Sequence, residues 1–288
     1  MRNNSRVGNR LALFLSIVLL VAITIGCGNA APGQERSNGN SMQNEREVER
    51  AAADRSKNAL SEELAELADS GVAPAALGVV AYFEAKGATS EALNAATEKL
   101  AASGDPMAMM AFLPISFADL TILPLTMLSM LPETGKNIWE GELMMLVTGS
   151  GRIEQKGDIS EFTLKLQDSG EGADYTEITG KYDRSKDSMR AEFWQNNQLS
   201  HVFEYSTSGN GYVSQLYSNT EDETTWLKHA FTGTSLYSGI VPANGEPESI
   251  YQKSPAINEE FVKNESLMLV LNDGVGYAIL DGKRSVIE

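Results

Sequence analysis

One thiol and two imidazoles set the limits on the chemistry this chain can perform. Cys27 is the only cysteine in 288 residues. No internal disulfide can therefore form, and no cysteine is left in the body of the chain for a zinc site or a nucleophile. The two histidines are His201 and His229. Strand alternation sets His201 with Leu199 and Phe203, and His229 with Leu227 and Phe231. A histidine on such an apolar face is ordinarily a partly buried, hydrogen-bonded core residue. The sequence carries no Gly-x-Ser-x-Gly, no His-Glu-x-x-His, no phosphate-cradling glycine loop and no dinucleotide fingerprint. Glu221-Asp222-Glu223 and Glu259-Glu260 lack the alternating ligand spacing and central glycine of a calcium loop, so they read as solvated turns. The 39 acids offer many carboxylate pairs for glycosidic chemistry, and spacing singles out none of them. This reading assigns no catalytic residue and no metal ligand, and expects a protein that is not an enzyme.

The surroundings of Cys27 give it another use. Arg2, Arg6 and Arg10 precede an uncharged apolar block from Leu11 to Ile25, which ends Thr24-Ile25-Gly26-Cys27. A basic start, a short apolar middle and small residues before a cleavage point make an export signal. The segment resembles the signal of bacterial lipoproteins, whose lipobox ends in a small residue followed by a lipid-modified cysteine. The resemblance implies cleavage after Gly26 and a diacylglycerol thioether on Cys27, and leaves open a further acyl chain on its new amino group. Ile25 fits the pattern two residues before the cysteine, whereas Thr24 stands where leucine is usual. Two or three acyl chains anchor stably where one gives marginal residence, at roughly 0.8 kcal/mol per buried CH₂. Two other outcomes stay open at this point. An ordinary signal peptidase could cut near Gly28-Asn29-Ala30, or Leu11–Ile25 could remain as an anchor, short against the roughly 20 residues of a spanning helix. Gly28 after the cysteine, rather than aspartate, implies sorting to the outer membrane where a host has two.

The formal charge is −16, and loss of residues 1–26 removes three arginines and no acid, which makes the remainder more acidic still. Such a body is repelled by nucleic acid and by anionic lipid surfaces. The same charge keeps an exported protein soluble. Residues 27–44 are rich in Gly, Asn and Ser with almost no bulky apolar residue, so they read as a flexible tether. At roughly 5–6 Å × √n its reach is about 20–25 Å.

Helical patterning begins at Glu45 and defines a region to residue 135. Leu60, Leu64 and Leu67 mark a first helix over Glu45–Asp69. Pro74 opens a second that stops at Gly87, and Thr89 or Ser90 opens a third that ends at Gly104. Met107–Leu131 carries five methionines and one charge, Asp119, and is interrupted by Pro114 and Pro124. It reads as buried core broken into short helices, or as a pliable apolar groove.

From Trp139 the pattern turns to strands. Glu142–Thr148, Glu161–Gln167, Tyr175–Tyr182, Ser188–Gln195, Gln198–Ser206, Tyr212–Ser218, Thr225–Phe231, Ser235–Val241, Leu267–Asn272 and Val275–Leu280 are separated by turn signals. Among these are Gly149-Ser150-Gly151, Asn196-Asn197 and Asp273-Gly274. Strands at such short intervals predict an antiparallel meander over 136–288. Leu199, His201, Phe203 and Tyr205 share a face by alternation, and a two-residue turn at Asn196-Asn197 adds Trp194 to it. Met189, Ala191, Phe193 and Val202 fall on the opposite face. Trp194, Leu199, Phe203 and Tyr205 are therefore the candidate ligand-binding residues. The sheet is either covered by helices on one side and a partial layer on the other, or curved around an apolar ligand.

The strand series behind a lipoprotein signal resembles the half-barrel of bacterial lipoprotein carriers and lipid-binding lipoproteins. That likeness implies non-catalytic carriage or sensing of a lipid, although the early helical region departs from it. The expected molecule is α+β: signal peptide over 1–26, tether over 27–44, helical region over 45–135, then an antiparallel β domain. Its expected partners are membrane lipid through Cys27 and an apolar ligand, or alternatively an envelope protein served as a scaffold; a hydrolase is a third class. No nucleic acid and no cofactor beyond the covalent lipid are expected.

Overall fold

A computed structural model describes residues 73–89, 118, 121–130, 139–143, 147–168, 175–219, 224–263 and 267–288, with part of 92–99. The signal, the tether, the helix expected over 45–69 and Met107, Met109 and Met110 lie outside the described residues. Val72–Glu288 form one compact unit.

The first helix, α1, spans Pro74–Gly87, with proline in the first turn as expected. Proline suits this place because its missing N–H would have no helical partner there. At the other end the Ala88 N–H reaches the Glu84 carbonyl, and the Thr89 hydroxyl donates to the Lys86 carbonyl at 2.7 Å. Residues 92, 93, 95, 96, 98 and 99 are helical too, in the stretch where a third helix is expected. Thr121 and Ile122 close a helical turn, and a 3₁₀ segment follows over Leu123–Met130. Ile122, Leu125, Met127 and Leu128 are buried there, so this end of the methionine-rich stretch is core. Among the described residues no helix is long and apolar enough to cross a membrane.

Among the described residues twelve strands form one open antiparallel sheet in which each pairs with its neighbour in sequence. They are β1 (Trp139–Leu143), β2 (Val147–Lys156), β3 (Ile159–Asp168), β4 (Tyr175–Asp183), β5 (Ser188–Gln195) and β6 (Gln198–Ser208). The series continues with β7 (Gly211–Asn219), β8 (Thr224–Phe231), β9 (Ser235–Pro242), β10 (Leu267–Asn272), β11 (Val275–Leu280) and β12 (Lys283–Ile287). The antiparallel meander expected from the strand spacing is present. Its first part differs in detail. The strand expected over Glu142–Thr148 covers the end of β1 and the start of β2, and Gly149-Ser150-Gly151 runs inside β2 instead of turning. Both glycines are paired on two sides, Gly149 with Gly141 and Leu166, and Gly151 with Trp139 and Leu164. Neither has positive φ, so cross-strand pairing holds the backbone extended against its turn preference.

The two sides of the sheet are covered differently. α1 lies on the side that carries Phe203, Tyr205, Tyr212 and Phe231. Between β9 and β10 the chain leaves the sheet and crosses its other side as a strap, described over 243–263. The strap contains one short helix, α2 (Glu259–Val262), capped by the Asn258 side chain, which accepts from the Phe261 N–H at 3.1 Å. Beneath it Val213, Ala230, Ile250, Val262, Met268 and Val270 form a second apolar cluster. At Gly239 of β9 there is no room for a side chain, because a Cβ would run into the Val262 carbonyl.

Candidate functional site

Expectation placed Trp194, Leu199, Phe203 and Tyr205 on one face; the strands divide them. Trp194 does stand opposite Leu199, but Phe193 stands opposite His201, so Ser200 is an extra residue in β6. An inserted residue shifts the alternation of everything beyond it. Trp194 and Leu199 consequently lie on the strap side with Glu177, while Phe203 and Tyr205 lie under α1. The bulge also moves Met189, Ala191 and Phe193 to the α1 side, across from Tyr205, Phe203 and His201, and separates His201 from Leu199. Sequence offers no signal for this: Ser200 looks like any outward strand residue, and its hydroxyl fixes the bulge by donating to the Phe193 carbonyl at 3.0 Å.

The α1 side is an aromatic floor arranged around one residue of the helix. Tyr82 stacks on Tyr205 at 4.9 Å and meets Phe203, Tyr212 and Phe231 edge-on at 5.5, 5.6 and 5.7 Å. Its hydroxyl lies 2.9 Å from Ser214 Oγ on β7. One turn earlier, Gly78 lets the helix settle against the sheet, since a Cβ there would strike the Tyr182 ring and the Tyr205 hydroxyl. Tyr82 and Tyr212 were not singled out by sequence. The helical spacing of Tyr82 resembled ordinary core, and Tyr212 follows a glycine turn.

Three of these tyrosines converge on one carboxylate. Tyr212 donates to Asp187 Oδ2 at 3.0 Å, and Tyr182 and Tyr205 donate to Oδ1 at 3.2 and 3.4 Å. Asp187 sits in the β4–β5 turn with φ +40°, a conformation aspartate tolerates better than most residues. Burial holds its carboxyl above the ordinary aspartate range, even though the three phenols favour the charged form. Burial and the Asp187 charge both push the Tyr182 and Tyr212 hydroxyls well above the usual phenol value. These phenols stay neutral donors at any physiological pH.

The histidines differ from each other. His201 is half-buried, 3.1 Å from Ser200 Oγ through Nδ1. That hydroxyl already donates to a carbonyl. It must accept from the ring, which leaves no base to activate it. His229 is 3 % exposed and keeps the expected face with Leu227 and Phe231, yet among the described residues neither ring nitrogen has a hydrogen-bond partner. The expected hydrogen-bonded core histidine is therefore realised at His201 and not at His229. Burial, with a smaller push from Lys86, holds His229 well below its usual value and neutral.

On the strap side the dominant group is Glu204, whose side chain is 1 % exposed. It accepts from Arg190 Nη1 at 2.8 Å, Gln215 Nε2 at 2.7 Å, Ser249 Oγ at 2.5 Å and the Ile250 N–H at 2.8 Å. Arg190 also bonds Glu192 and Glu246. Burial opposes its charge, but these carboxylates hold the guanidinium above its ordinary value. The strap is pinned further by Ser206 Oγ on the Lys253 carbonyl and by Ser188 Oγ, which accepts from the Gln252 N–H at 2.8 Å. Glu259 and Glu260, read from sequence as a solvated turn, form the first turn of α2, where acids favour a helix N-terminus. Among the described residues no three acids, histidines or cysteines come together to hold a metal ion.

Searches of protein-family models, characterised proteins and solved structures give no match.

Proposed function

We propose that the chain is a lipid-anchored protein of the cell envelope that binds an apolar ligand without catalysis. The observation that carries this reading is the aromatic floor of an open sheet, sealed by a helix and not by a second sheet. Rings set edge-on and stacked suit an acyl chain or another flat apolar group once the cover is displaced. Phe203 and Tyr205 belong to that floor, together with Tyr212 and Phe231. The lipoprotein-like signal supplies the location, with Cys27 carrying diacylglycerol and Gly26 the last residue removed. The likeness to half-barrel lipid carriers points the same way.

Two measurements test it. Full-length protein expressed with labelled palmitate should incorporate label and partition into detergent, and Cys27→Ser should lose both. Detergent-extracted protein analysed by native mass spectrometry should carry a non-covalent lipid, released when Phe203→Ala and Phe231→Ala are combined. A protein that is labelled at Cys27 but always empty would leave the anchor standing and reject the ligand. In that event the interaction-module reading is favoured. It draws on the edge strand β12, where Val286 is 64 % exposed, a surface open to strand addition by an envelope protein.

A further inference from the structure

The strap does not cover the whole of its side. Beside it, at the β5–β6 turn, lies an open cleft of about 620 Å³ lined by Glu177, Thr179, Trp194, Asn196 and Asn197. That volume falls within the range of about 300–1,000 Å³ typical of small-molecule sites. The register puts Glu177 of β4 directly beside Trp194 of β5, with Thr179 two residues along the same strand and face. Asn196 and Asn197 both have positive φ, 50° and 63°, which identifies a tight turn that holds their exposed amides at the cleft rim. Trp194 is half-buried and lines the cleft, so part of its ring faces it.

We propose that this cleft is a carbohydrate-binding site, separate from the aromatic floor on the other side of the sheet. The lining combines one indole plate with a carboxylate, a hydroxyl and two amides. A pyranose ring has the matching surfaces: an apolar C–H face for the indole and a rim of hydroxyls that both donate and accept. The Glu177 carboxylate accepts from two vicinal hydroxyls in strong, charge-assisted bonds. The asparagine amides, each donor and acceptor, complete the rim. Other ligand classes fit this lining poorly. A lipid chain would bury four polar groups against hydrocarbon at a cost. An anion would meet Glu177 within a body of net charge −16. A simple cation would compete with Lys165, whose ammonium already lies 4.0 Å from the Glu177 carboxylate.

The test uses full-length protein in a zwitterionic detergent, so that no sugar headgroup competes. It is screened on an array of immobilised bacterial glycans, and the strongest hit is titrated as a free tetrasaccharide. Binding should be saturable. Trp194→Ala should weaken it at least tenfold and Glu177→Gln several-fold, while Trp194→Tyr, which keeps a stacking ring, retains most of the affinity. The retention by Trp194→Tyr separates loss of the platform from loss of the fold. Silence across the array overturns the proposal, as does a signal that Trp194→Ala and Glu177→Gln leave at full strength. Preferential capture of a cationic amine overturns it too. Because the floor residues are untouched, lipid binding and glycan binding can fail independently.

Discussion

Glu204 and Arg190 face each other across the β5–β6 pair and join at 2.8 Å, and from there the two side chains reach the strap, Glu204 at Ser249 and Ile250 and Arg190 at Glu246. Without Glu204 the Ser249 hydroxyl and the Ile250 N–H lose this acceptor, while the guanidinium keeps Glu192 and Glu246 and the Gln215 amide keeps the Glu248 carbonyl. Leaving a buried donor without its acceptor costs about 1–3 kcal/mol, so two such donors together cost about 2–6 kcal/mol. Glu204→Ala should lower stability by that amount in urea unfolding. Amide exchange should accelerate at 249–253 while the α1 side stays protected. Unchanged exchange in the strap would show that its attachment lies elsewhere.

Gly78 makes a prediction whose sign is informative. At an exposed helix position Gly→Ala stabilises by roughly 0.5–1 kcal/mol. Here the added Cβ meets the Tyr182 ring and the Tyr205 hydroxyl, and overpacking of this kind costs about 1–3 kcal/mol. Gly78→Ala should therefore lower the melting temperature. A rise would mean that α1 does not press on the sheet at this point.

The raised carboxyl of Asp187 links stability to pH. A folded value above the usual 3.8 means that the group favours folding while protonated. Its contribution is complete below that usual value and is lost as pH rises through the folded one. Asp187→Asn does not titrate, so its stability relative to the parent should improve as pH rises above the usual aspartate value and level off beyond the folded one. Urea unfolding at four pH values measures this, and a constant difference would contradict burial as the dominant influence.

His229 acts in the opposite sense. Its folded value lies below the ordinary 6.5, so its contribution is present above that pH and is lost as pH falls through the depressed value. Leucine at this position removes two buried, unpartnered nitrogens and keeps an apolar side chain. His229→Leu should match or exceed the parent at pH 7.5 and lose less stability between pH 6 and pH 4. Calorimetry across that range would decide.

Much of the architecture was legible in the chain, because strand and turn chemistry is local. β5, β10 and β11 begin and end where the residues say, as does α1 between its proline and its glycine. The failures share a cause: the deciding interaction was distant or backbone-borne. Gly149 and Gly151 are held extended by two partner strands. β12 was not among the expected strands, because Lys283, Arg284 and Ser285 carry no apolar alternation; pairing with β11 makes it one. The bulge at Ser200 split the candidate residues because one inserted residue reverses every later face. The cover was equally hidden, since nothing in Tyr82 itself announces that four rings from three strands will surround it.

The meander has a consequence for how the molecule comes into being. Each strand's partner is the one made just before it, so a chain emerging from its N-terminus can zip hairpin onto hairpin with short loop closures. The long crossing between β9 and β10 interrupts that order. The last three strands can join only after this longer excursion closes, a larger loop than any hairpin before it, so a sheet stalled here would expose the edge of β9.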